Sequence, residues 1–209
     1  MTTGRGPSVA EALTAALTAG KPEPVTFEEV LGTYEGGNST LARELAGLPS
    51  TGALPRKGTA ERRRYDAAMR RVQRYGSKGA ERRRPKGEAL ADLRRRGLVN
   101  LAGPQLAKAR REGLAVRFMA HFRVSRNFYT KAIPPARGDM IYLTPDEAPD
   151  LMPSVRAALA LWRAGDREAA GADIESLAWA HYWNPDDEPA EEIIGELIGI
   201  SDAWVRVGQ

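Results

Sequence analysis

The 209-residue chain contains no cysteine, which excludes disulfides, thiolate zinc centres and cysteine nucleophiles and fits a reducing compartment. Histidine occurs only twice, at His121 and His181. One stands in a β-like alternating run and the other on an amphipathic helical stretch, with no second ligand at metal spacing, so both read as structural and no metal site is expected. Long apolar runs are missing as well. The segment Met1 to Gly20 carries one basic residue and an alanine-rich stretch too short and too mild for a signal sequence or a membrane span. The expectation is a cytoplasmic, nucleoid-associated protein with no membrane partner. Gly32 to Gly37 has neither the preceding strand nor the Gly-Lys-Ser/Thr ending of a phosphate-cradling loop, so no nucleotide cofactor is expected. No catalytic constellation stands out, and the chain does not read as a conventional enzyme.

What is abundant is positive charge, concentrated in one place. The formal net charge is +4, but Pro55 to Phe118 holds 20 Lys and Arg against 6 Asp and Glu, a local balance of +14 that leaves −10 for the rest. A merely solvated helix face usually interleaves both signs. A segregated basic block inside an acidic chain is the footprint of a polyanion binder, because each Lys or Arg that neutralises a phosphate releases condensed counterions. DNA is therefore the expected partner.

Apolar spacing predicts a helix over Val9 to Ala19 that Gly20, Pro22 and Pro24 end. Thr26 with Glu29 forms a capping box for a second helix carrying Phe27, Val30 and Leu31, and Ser39 or Thr40 caps a third through Leu48. After a Pro/Gly loop, Pro49 to Gly58, a basic helix runs from Thr59 to Tyr75 with Tyr65, Met69 and Val72 on its apolar stripe. Two further helices are expected, one from Leu90 to Gly97 and one over Pro104 to Glu112. Leu114 to Val124 alternates like a strand, Met140 to Leu143 is a short second strand, and Ser125 to Asp139 between them reads as a polar loop. Helices are expected over Leu151 to Ala164, Asp166 to Trp183 and Pro189 to Ile198. The fold class is thus mainly α (α+β): a helix-turn-helix-like helical domain over 1–103, basic from residue 55, and an α+β domain over 104–209 with a small β-hairpin and acidic helices that suit a protein partner or a homodimer.

The run Arg71-Val72-Gln73-Arg74-Tyr75, the turn Arg82-Arg83-Arg84-Pro85 and the helix Leu90-Ala91-Asp92-Leu93-Arg94-Arg95-Arg96 resemble actinobacterial telomere-protecting terminal proteins. The order of elements is similar over Thr40 to Ile198, including strands around Arg117-Phe118 and before Leu143, the Gly165-Asp166 pair and the run Ala178 to Tyr182. The chain departs from that family in the longer loop Pro49 to Gly58 between the two helices of the helix-turn-helix. The resemblance implies binding to the ends of linear replicons, a covalent link from a side-chain hydroxyl to the DNA 5′ end, and partners such as a DNA polymerase or a telomere-associated protein. Such a primer needs no catalytic site of its own, since the polymerase supplies the metal ions for phosphoryl transfer.

Candidate DNA contacts are Arg62, Arg63, Arg64, Arg70, Arg71 and Arg74 on the basic helix, then Lys78, Arg82, Arg83, Arg84, Arg94, Arg95 and Arg96, and Arg123, Arg126 and Lys131 around the polar loop. Phe118 and Phe122 share one strand face and read as core, whereas Phe128 and Tyr129 are placed to touch nucleic acid. The tryptophans at 162, 179, 183 and 204 read as core or interface anchors. Thr130, then Ser125 and Tyr129, are the candidate nucleotide-accepting hydroxyls, because Arg123, Arg126, Lys131 and Arg137 surround them with positive charge. Asp186, Asp187, Glu188, Glu191 and Glu192 read as a solvated helix start rather than a metal cluster. Two other readings remain open: a helix-turn-helix transcriptional repressor that dimerises through its C-terminal domain, and a mobile-element accessory protein that binds nucleic acid without specificity.

Overall fold

Ser8 and Thr26 start helices by the same device. In the computed structural model, which describes residues 6–76, 84–124, 127–132, 140–182 and 196–208, each side chain accepts the backbone N–H three residues on, while Glu11 and Glu29 reach back to the cap residue. These capping boxes satisfy amides that the first turn leaves without partners. They open α1 (Val9–Leu17) and α2 (Phe27–Gly32). The next helix, α3 (Asn38–Leu45), has no side-chain cap and follows Gly37 at φ 55°. Ser39 and Thr40 are therefore not its caps; their hydroxyls bond Tyr65 and the Glu35 carbonyl instead.

The basic helix α4 spans Ala60–Gly76 and buries Tyr65, Ala68 and Val72. Its first turn is held by Thr59, whose Oγ1 accepts the Arg62 amide at 3.2 Å. The two helices expected over 90–97 and 104–112 are one, α5 (Glu88–Glu112). Gly97 does not end it: the residue is buried, and an added Cβ would come within 3.0 Å of Pro24 and 3.4 Å of Val30, so glycine here permits close packing. Pro104 lies at an exposed position and gives up one hydrogen bond without stopping the helix.

Contacts divide the chain into two units, Pro22–Leu101 and Met1–Lys21 with Ala102–Gln209. The second boundary falls close to residue 103, but α1 groups with the C-terminal half instead of with the helices that follow it, because its apolar face packs on that half's last helix and last strand. The first unit's core gathers Phe27, Val30, Tyr34, Leu41, Ala42, Tyr65, Val72 and Leu93. Tyr75 closes it with its ring edge-on to Phe27 at 5.4 Å.

The other unit is built on β1 (Leu114–Val124), which pairs antiparallel with β2 (Asn127–Ala132), β3 (Ile141–Leu143) and β4 (Glu196–Val207). Since β3 meets residues 114–116, β2 meets 119–124 and β4 runs along nearly the whole of β1, β4 occupies one edge and the two short strands share the other. Two stretches differ from what their sequence suggests. The expected loop over 125–139 contains β2, and of the helix expected over 189–198 the described residues, 196–198, are the start of β4. Strand β4 is bulged, with an extra residue at Ile198 and another near Asp202, φ 52°, and these interrupt strict alternation along it. Beyond β3, the helices α6 (Met152–Ala164) and α7 (Arg167–Tyr182) pack on each other and on α1. The Trp162 indole is buried and donates to Thr14 Oγ1 at 3.0 Å.

Candidate nucleic-acid interface

The periodicity of α4 separates packing from charge. Tyr65, Ala68 and Val72 face the core, which leaves Arg63, Arg64, Arg70, Arg71 and Arg74 exposed on the remaining surface. Positions seven apart lie above one another on a helix, so Arg63 and Arg64 stack over Arg70 and Arg71. From Arg63 to Arg74 the stripe is about 16 Å long. Arg70 and Arg74 each donate Nε to the carbonyl one turn back, and together with Ala67, Arg71 and Gln73 they line an open depression. Arg63, Arg64 and Arg71 have no carboxylate partner among the described residues. Arg62 differs: half-buried, it pairs with Asp66 at 3.0 Å and lies over the Tyr65 ring.

The arginines of α5 and the turn before it are placed otherwise. Arg84 pairs with Glu28. Arg94 donates to the Pro24 carbonyl at 3.1 Å and faces Glu23. Arg95 pairs with Asp92, and Arg96 bonds both Asp92 and Glu44. These bonds hold the Arg96 guanidinium in its charged form and hold the Asp92 carboxyl below the usual carboxylate range. Burial, then the bond to Glu44, pushes the neighbouring Tyr34 hydroxyl far up. An arginine so engaged must break an internal bond to meet a phosphate, whereas Arg63, Arg64 and Arg71 on α4 need not.

Lys78, Arg82, Arg83, Ser125 and Arg126 lie outside the described residues, as does the acidic stretch 186–192. Arg123 is in β1, and Tyr129, Thr130 and Lys131 are in β2, where the Thr130 backbone pairs with His121 and Tyr129 with Phe122. The expected hydroxyls at 129 and 130 thus belong to a strand instead of a loop. Beyond its pairing with β1, β2 has no second strand partner among the described residues.

Sequence reasoning missed two arginine roles. Arg43 donates to the carbonyls of Pro49, Thr51 and Gly52, with the last at 2.7 Å, and so clasps the loop between α3 and α4. Trp204, expected as an anchor in a helical region, is on β4 and 40% exposed, with the Arg117 and Arg206 guanidiniums 5.5 and 5.9 Å from its ring centre. The paired Val-x-Val spacing at the end of β4 was the available signal.

No helix among the described residues is long and apolar enough to cross a membrane, and no group of three or more His, Asp or Glu there is placed to hold a metal. No family model, curated protein or solved structure matches the chain.

Proposed function

We propose that the chain is a DNA-binding protein that grips the phosphate backbone of a duplex through the exposed face of α4. The observation that carries this reading is the trio Arg63, Arg64 and Arg71, exposed on a helix whose opposite face is anchored in a core and without carboxylate partners among the described residues. Charge in this form binds by counterion release and supplies position more than sequence selection. The 14 residues between α3 and α4 exceed the three- or four-residue turn of a simple helix-turn-helix. That length favours docking of α4 along the backbone over a standard recognition-helix insertion.

The resemblance extends the proposal to a terminal protein of a linear replicon. There a side-chain hydroxyl oxygen attacks the α-phosphorus of a deoxynucleoside triphosphate, pyrophosphate leaves, and the hydroxyl proton passes to solvent or to a base of the polymerase. Thr130, Ser125 and Tyr129 are the candidate acceptors, and the partner is a DNA polymerase. Incubating the chain with a protein-primed polymerase and a labelled deoxynucleotide tests this extension. A labelled chain, with the adduct mapped to one of these three residues, supports it. An unlabelled chain that still binds duplex leaves the helix-turn-helix repressor as the better reading.

A further inference from the structure

The two faces of the sheet differ in kind. Residues paired across strands point to the same side. The rows Leu143–Leu114–Val207 and Ile141–Val116–Val205 are buried and apolar. The rows between them carry Tyr142, Ala115 and Arg206 abreast, then Arg117 opposite Trp204. On this second side Trp204 is exposed, Arg206 is exposed, and Tyr142 and Arg117 are half-buried.

Both guanidiniums lie by the indole, and neither has a carboxylate partner among the described residues. Asp202, the nearest acid along β4, sits in the bulge with its Oδ1 against Gly6. The result is an exposed indole flanked by two cations along the edge strand β4, with Ala115 buried beside it. An exposed indole with cations beside it offers a ligand both a stacking face and positive charge.

We propose that Trp204, Arg117, Arg206 and Tyr142 form a second nucleic-acid site, which takes unpaired DNA. A base stacks on the indole, and adjacent phosphates pair with the guanidiniums, which swing from the ring to meet them. Duplex DNA does not suit the site, because its base faces are already stacked on each other and leave none free for the indole. The site is on a different unit from α4 and rests on none of the α4 arginines.

The test is anisotropy of a labelled oligothymidylate of about 12 nucleotides, titrated with the full chain beside a labelled duplex. Trp204→Ala weakens the single strand about tenfold and Trp204→Phe recovers most of the loss. Arg206→Gln lowers the slope of log affinity against log salt by about 0.7. All three variants keep wild-type duplex affinity, and Arg71→Gln shows the reverse pattern. Unchanged oligothymidylate binding by a Trp204→Ala chain with a wild-type melting midpoint overturns the proposal. So does an abasic oligonucleotide that binds equally well, since charge alone is then being read, or a preference for oligouridylate, which reassigns the site to RNA. If Trp204→Ala does not fold, Arg206→Gln decides, because an exposed strand position tolerates that change.

Discussion

Arg96 on α5 meets Glu44 near the end of α3 at 3.0 Å, and the same carboxylate accepts the Tyr34 hydroxyl at 2.8 Å. One arginine of a basic run is thereby committed to holding α5, α3 and the bend after α2 together within the 22–101 unit. Arg96→Ala should cost about 1–2 kcal/mol of stability, since it leaves Glu44 and Asp92 short of a charged donor. Its duplex affinity, measured well below the melting range, should stay within about twofold of wild type because no phosphate contact is lost. A large affinity loss with unchanged urea midpoint would show that Arg96 faces DNA after all.

Asp92 and Glu175 should respond to pH in opposite senses. Asp92 is held below its usual range first by its bond to Arg96. Its contribution is therefore present above the unfolded carboxylate value of about 4 and lost as pH falls through the lower folded value. Asp92→Asn should flatten the acid limb of the stability profile. Glu175, on α7, is pushed up by burial, so the folded state is penalised as pH rises past the unfolded value. Glu175→Gln should raise the melting midpoint at about pH 7 and leave it unchanged near pH 4. Thermal melts across that range check both signs.

Arg43 should control the loop between α3 and α4. Its guanidinium bonds three carbonyls of that loop, and losing them frees backbone that glycine and proline already make accessible. Arg43→Ala should raise the rate of protease cleavage within Pro49 to Gly58 by about tenfold, roughly the effect of losing one charged hydrogen bond from the closed state. Mass analysis of the early fragments locates the cut, and an unchanged rate would deny Arg43 this role.

The helices were largely legible in the sequence. Thr26 with Glu29, the stripe Tyr65, Met69 and Val72, and the helix expected over Leu151 to Ala164 each rest on local spacing that the structure repeats. What depended on tertiary contact was not legible. Gly97 looks like a helix end until Pro24 and Val30 are seen against it. Glu196 to Ile198, read as the end of a helix, open β4 instead, and the extra residue at Ile198 breaks the period of two there. Phe128 to Lys131 lacked alternation, yet pairing with β1 makes that run a strand. The charge block was visible as a count, but not the split within it between Arg63, Arg64 and Arg71, which stay exposed, and Arg94 and Arg96, which bond internally. That split needs the positions of Glu23, Glu44 and Pro24, far away in sequence.

The exposed arginines of α4 are proposed to neutralise phosphates. The direct measurement is duplex affinity across a salt series for the wild-type chain and for Arg63→Gln, Arg64→Gln and Arg71→Gln combined. Each lost phosphate contact removes about 0.9 from the slope of log affinity against log salt. The triple variant should show a slope shallower by about 2–3, at unchanged melting midpoint. A folded triple variant whose slope equals that of the wild type would contradict that role.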